Sequence, residues 1–104
     1  MLINEDKSYT LTTSSGAATQ SVTGVKNRRL VQILIAPTRS TTEFDFSITD
    51  KNSQVIYSIT DYVGRYVDTI NQPQYIYGNF TMALANATAD EAFSIILILS
   101  EEVY

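Results

Sequence analysis

Between Glu43 and Thr60 apolar and polar residues alternate strictly. Phe44, Phe46 and Ile48 stand against Asp45, Ser47 and Thr49, and Val55, Tyr57 and Ile59 repeat the spacing after a polar break. Period two is the signature of a strand with one dry face and one wet face. The break, Asp50-Lys51-Asn52-Ser53, is turn chemistry. An aspartate carboxylate accepts from backbone N–H groups ahead of it, and asparagine tolerates the left-handed conformation that a short hairpin loop needs. The spacing predicts a β-hairpin over residues 43–60.

The rest of the chain carries the same kind of pattern with varying clarity. Residues 1–7 are a polar lead and predict an extended N-terminal arm. Ser8–Thr13 alternates Tyr9 and Leu11 with hydroxyl residues and predicts a first strand; Ala17–Val25, low in bulk, predicts a weak edge strand. Leu30–Ala36, LVQILIA, is apolar on both faces, with Leu30, Leu34 and Ala36 on one and Val31, Ile33 and Ile35 on the other. Pro37 ends it, since proline cannot donate to a central ladder. From Asp61 to Gly78 the pattern weakens around Gly64 and Pro73, which predicts a long connection with short strands near 65–68 and 75–77. Asn79–Ala85 alternates cleanly with Phe80, Met82 and Leu84 inward. Phe93–Leu99, FSIILIL, is again apolar on both faces, and a charged tail follows over residues 101–104. No helical periodicity and no internal repeat occurs. Strand-sized segments between polar turns predict a single all-β domain over residues 1–104, an antiparallel β-sandwich of jelly-roll type.

The two doubly apolar strands are the sharpest hint about function. In a two-layer sandwich one face of each strand looks inward. The other must be covered, because an exposed apolar stripe invites aggregation. Val31, Ile33 and Ile35 on the first strand, and Ile96 and Ile98 on the last, are therefore candidate protein-interface residues.

Composition removes most chemistry. The chain has 104 residues and neither histidine nor cysteine. That rules out Ser-His-Asp and Cys-His nucleophiles, thiolate zinc sites and disulfides. Glu43 and Asp45 are two apart on one wet strand face, which does not place acid and nucleophile on opposite sides of a sugar. Asp50, Asn52, Gln54 and Asp61 match part of a calcium-loop spacing, but Val55 stands where glycine is needed and the last position is Asp. A net charge of −4 argues against nucleic acid as partner. The longest apolar run, Ile95–Leu99, is too short to span a bilayer. The N-terminal residues lack a basic region followed by an apolar run, so no signal peptide is expected. No catalytic residue, metal or cofactor is expected.

Two further groups of residues are candidates for contact. Lys26, Arg28 and Arg29 form a basic cluster suited to an acidic partner surface. Tyr62, Tyr66, Tyr75 and Tyr77 fall in the weakly patterned segment, and Tyr104 lies in the tail. Tyrosine offers a flat apolar face and a hydroxyl, so it is enriched at protein interfaces and on sugar-stacking platforms. The absence of tryptophan weighs against the sugar platform.

The runs LVQILIAPTRSTTEFDFSITDKNSQVIYSIT and NATADEAFSIILILSEEVY, roughly half of the chain, resemble small virion proteins of tailed bacteriophages, the head-decoration or cement class in particular. The resemblance implies a homo-oligomer, often a trimer, bound to a larger structural protein such as a capsid protein. It implies location in the virion after synthesis in the host cytoplasm, and a shell-stabilising role with no membrane or nucleic-acid partner. Two alternatives stand beside it: a tail, fibre or baseplate component, and a carbohydrate-binding module using the tyrosine-rich surface.

Overall fold

The structure, a computed structural model, describes residues 2–23 and 26–102. It has eight strands: β1 (Leu2–Thr12), β2 (Ala18–Val22), β3 (Arg28–Pro37), β4 (Glu43–Asp50), β5 (Val55–Val63), β6 (Tyr66–Ile76), β7 (Phe80–Ala85) and β8 (Ala92–Glu102). They form two four-stranded antiparallel sheets, ordered β1-β8-β3-β6 and β2-β7-β4-β5. The pairing is nested: β4 pairs β5, β3 pairs β6, β2 pairs β7 and β1 pairs β8. The chain is thus one long hairpin bent at residues 51–54, then folded across itself so that β3 also pairs β8 and β4 also pairs β7. That is the jelly-roll topology the strand pattern predicts.

The central turn forms for the expected reason. Asp50 Oδ1 accepts from the backbone N–H groups of Asn52 and Gln54, each at 2.9 Å. The left-handed residue is Ser53, with φ of 64°, one position beyond the asparagine expected to take it.

The sheets bury their facing sides against each other. Leu11, Leu30, Ile33, Ile35, Phe93, Ile95, Leu97 and Leu99 from one sheet meet Phe44, Phe46, Ile48, Phe80, Met82 and Leu84 from the other. Phe44 packs edge-on to Phe93 across the sheets near the start of β4 and β8, with ring centroids 5.2 Å apart.

Three expectations change. Residues 2–7 are no free arm; they are the first half of β1, in register with β8. Likewise Glu101 and Glu102 belong to the backbone of β8, while Tyr104 lies outside the described residues. Residues 66–76 are one long edge strand instead of two short pieces. Its ladder with β3 slips between the pairs Leu30↔Gln74 and Gln32↔Thr69, so β6 accommodates extra residues around Pro73. A proline without an N–H is tolerated at such an edge irregularity.

At one end of the sandwich, carboxylates tie the loops together. Asp45 accepts from Asp61 N at 2.8 Å and from Asn86 Nδ2 at 2.7 Å, linking two residues that both have positive φ. Glu91 accepts from Thr42 Oγ1 and from Arg39 N, both at 2.6 Å. These acids are structural ties between loops. Asp45, on the wet face of β4, holds the irregularity of the β4–β5 ladder in place.

Candidate docking face

The outer face of the β1-β8-β3-β6 sheet gathers six of the candidate interface residues: Arg29, Val31, Tyr75, Tyr77, Ile96 and Ile98. Register places Ser8, Ile96, Leu34 and Val67 in one row across the four strands, with Asp6, Ile98, Gln32 and Thr69 in the next. Strands lie about 4.8 Å apart, so neighbours in a row touch. A little further along, Arg29 sits between Ser100 and Tyr75. Tyr75 and Tyr77 stack on one another, with centroids 6.0 Å apart and planes 23° from parallel. Val67, Tyr75 and Tyr77 are 53%, 48% and 55% exposed, whereas Val31, Leu34, Ile96 and Ile98 are half-buried by their neighbours on the face. The result is an aliphatic centre on the order of 300 Å² by strand spacing and rise. It is flanked by two tyrosines and an arginine on one side and by Asp6, Ser8 and Thr10 of β1 on the other.

Ile33 and Ile35 are not on this face. Both are fully buried in the core, and Leu34 takes the outward position expected of them. The cause is a β-bulge at Val31: Leu30 pairs with Leu99, while Gln32 pairs with Ile98, leaving Val31 as the extra residue. The bulge lets Leu30, Ile33 and Ile35 all point inward, although simple alternation sets Leu30 opposite to the other two. Gln32 is the polar residue within the run Leu30–Ala36 and shares parity with Leu34. Placing it outward identifies Leu34 as a surface residue. Val67 falls in the short strand expected near residues 65–68, but four residues are too few for alternation to give it a face.

The remaining candidates lie elsewhere. Arg28 turns inward at the sandwich end, where its Nη1 is 2.6 Å from Glu5 Oε2. Glu5 also meets Lys7 Nζ at 2.7 Å, and these cations hold its carboxyl below the usual range, the Lys7 hydrogen bond contributing most. Tyr62 and Tyr66 form an edge-on pair 4.8 Å apart at the opposite end of β6 from Tyr75, roughly 25–30 Å along the strand. Tyr62 also packs on Phe44, at 6.2 Å. Tyr66 joins Tyr57 and Asp68 in a hydrogen-bonded cluster where β5 and β6 meet at the side of the sandwich. Tyr57 donates to Asp68 Oδ2 at 2.5 Å, Tyr66 donates to the same oxygen at 3.2 Å, and the two hydroxyls contact each other. Burial, then the bond to Asp68, pushes the Tyr57 hydroxyl far above the ordinary tyrosine range; burial also raises Tyr66. The tyrosine-rich segment is therefore two separate clusters, one packed into the fold and one displayed.

Among the described residues no group of three or more Asp or Glu side chains is placed to hold a metal ion. The partial calcium-loop spacing is spent on the β4–β5 turn, where the Asp50 carboxylate already accepts backbone donors.

No family model and no curated protein matches the chain. Among solved structures, one similar in fold is a carbohydrate-binding module, CBM36, in complex with calcium and xylotriose. It has 13% sequence identity over 88% of this chain and 76% of that one, with a TM-score of 0.41.

Proposed function

We propose that this chain is a structural virion protein of the capsid-decoration or cement kind. It docks the outer face of the β1-β8-β3-β6 sheet onto a larger structural protein and acts without catalysis. The observation that supports this most is the apolar outer side of both central strands, β3 and β8, at Val31, Leu34, Ile96 and Ile98. A sheet face turned to water alternates to polar residues, as the outer face of β4 does with Asp45, Ser47 and Thr49. An aliphatic centre bordered by tyrosine and arginine has the composition of an interface core, with an area that suits the middle of a standard contact of about 800 Å² per partner. Binding an assembled shell better than its free subunits stabilises the shell by mass action. The resemblance of the sequence to decoration proteins selects the capsid over other scaffolds, and copies of the chain around a capsid junction form the homo-oligomer. The test is co-sedimentation of the purified chain with undecorated phage capsids. Wild type is expected to bind at fixed stoichiometry, and Ile96→Lys is expected to abolish binding while leaving the far-UV spectrum intact. Equal binding by Ile96→Lys would refute the face.

A second reading rests on Tyr75 and Tyr77. Two stacked, half-exposed rings form an aromatic platform of the sort that sugars stack on. Glycan-array binding that is lost in Tyr75→Ala would favour a carbohydrate-binding module over the decoration protein.

A further inference from the structure

The aliphatic centre of the outer face holds one polar pair. Gln32 of β3 stands beside Ile98 of β8, and its Nε2 donates to Thr69 Oγ1 of β6 at 3.3 Å. Val31, the bulged residue, precedes it and Leu34 lies two residues further along the same strand. Ile96 and Val67 take the diagonal positions in the neighbouring row. Gln32 is half-buried in this setting, so a carboxamide sits among aliphatic side chains. While the face is wet, water satisfies it. Once a partner excludes water, any donor or acceptor left over loses that hydrogen bond without compensation.

The bond to Thr69 uses only part of what the pair offers. A carboxamide carries a carbonyl oxygen and two N–H donors. One N–H goes to Thr69 Oγ1, which leaves an acceptor and a donor side by side, and neither side chain makes another hydrogen bond among the described residues. The complement of such an edge is the N–H and C=O of one residue in an extended chain, since both point to the same side there. The rows of the face fit that shape. Successive rows are two residues, about 6.8 Å, apart along the strands, which is the spacing of same-side residues in an extended segment. A segment laid along β3 sets alternate apolar side chains against the two rows, with its main chain level with the carboxamide. We propose, resting on the docking of this face, that Gln32 pairs with the main-chain N–H and C=O of one residue in an extended segment of the docked structural protein. Thr69 is its positioning residue, holding the amide in one orientation. A lone polar group in an apolar contact fixes register in the same way in coiled coils.

The test is co-sedimentation with undecorated phage capsids over a concentration series, for wild type, Gln32→Leu, Thr69→Val and the double variant. Leucine adds apolar area, so a partner that reads only an apolar surface binds Gln32→Leu more tightly. Recognition of a main-chain pair gives the opposite sign. Gln32→Leu is expected to weaken binding about tenfold, the scale of interface groups left unpaired on the partner, and Thr69→Val about threefold. The double variant is expected to bind no worse than Gln32→Leu, because Thr69 acts through Gln32. All three are expected to keep the wild-type far-UV spectrum, since both side chains lie on the outer face. Binding by Gln32→Leu as tight as wild type or tighter overturns the inference, and the docking face stands if Ile96→Lys still fails to bind. Wild-type binding by Ile96→Lys overturns the face and this inference with it. Thr69→Val that binds like wild type overturns the positioning role. Hydrogen exchange on the decorated capsids gives a second measurement. Wild type is expected to protect backbone amides of one capsid-protein segment more than Gln32→Leu does, and equal protection overturns the main-chain assignment.

Discussion

Ile33→Ala and Leu34→Ala form a matched pair that tests the facing of β3. The two residues are adjacent and lose similar volume, yet they point to opposite sides of the sheet. Ile33 has 0% of its surface exposed and lies among core side chains of both sheets. Truncating it removes the transfer free energy of the lost carbons and leaves a cavity, a loss of about 3 kcal/mol within the 2–5 range of such sites. Leu34 is half-buried on the outer face, where no second layer exists to leave a void. Its loss is about half the transfer value of a fully buried leucine, near 1 kcal/mol. Against a total stability of about 5–15 kcal/mol for a domain this size, the two effects are readily separated. Urea unfolding of each variant, followed by far-UV circular dichroism and tyrosine fluorescence, measures both at unchanged m-value. An Ile33→Ala cost no larger than that of Leu34→Ala would refute the bulge at Val31 and the inward placement built on it.

Four further outcomes follow from the loop ties, the tyrosine cluster and the turn at Gly64. Glu91 and Asp45 have carboxyl groups held below their usual values of 4.5 and 3.8, by the Thr42 hydrogen bond and the Asp61 backbone hydrogen bond respectively. Their contribution is therefore complete above those values and is lost as pH falls through the depressed folded ones. Urea midpoints between pH 5 and pH 3 should decline less steeply in Glu91→Gln than in wild type. Tyr57→Phe removes a hydroxyl bonded to Asp68 and Tyr66, with an expected loss of about 1–2 kcal/mol in the same denaturation assay. Because the Tyr57 and Tyr66 hydroxyls are raised in the fold, wild-type stability holds up to about pH 10 and falls above it, and the fall should be shallower in Tyr57→Phe. Gly64→Ala forces a side chain onto a residue with φ of +84°, its Cβ 2.8 Å from the Ser40 carbonyl oxygen, and calorimetry should show a loss of more than about 1 kcal/mol.

Strict alternation made β4, β5 and β7 legible from residues alone, and with them the all-β class and the central β4–β5 hairpin. In β4 and β7 apolar residues run along one face, so parity alone decides what is buried; in β5 register shifts against β4 break the parity, and Val55, expected on the dry face, is 63% exposed. β3 is apolar on both sides, so parity could not orient it, and a single extra residue at Val31 altered the answer. β6 was obscured because Pro73 and the irregularity opposite Val31 break the period that marks a strand. The candidate face was legible in part: Ile96, Ile98, Arg29, Tyr75 and Tyr77 were visible as candidates. Their convergence on one surface depends on β8 pairing with β3 and β3 with β6, pairings between residues 31 to 71 positions apart that no local pattern encodes. Lys26 and Arg28, legible as part of a basic cluster, line one cleft at the sandwich end. Lys7 joins them because β1 is a sheet strand and not a free arm.

The most direct measurement is quantitative mass spectrometry of gradient-purified phage particles made with wild-type chain or with Ile96→Lys. The docking account expects wild-type chain at a constant multiple per capsid subunit, and the variant missing from particles while remaining folded in the supernatant. Particles that lack the wild-type chain, or that carry the variant in equal number, would contradict it.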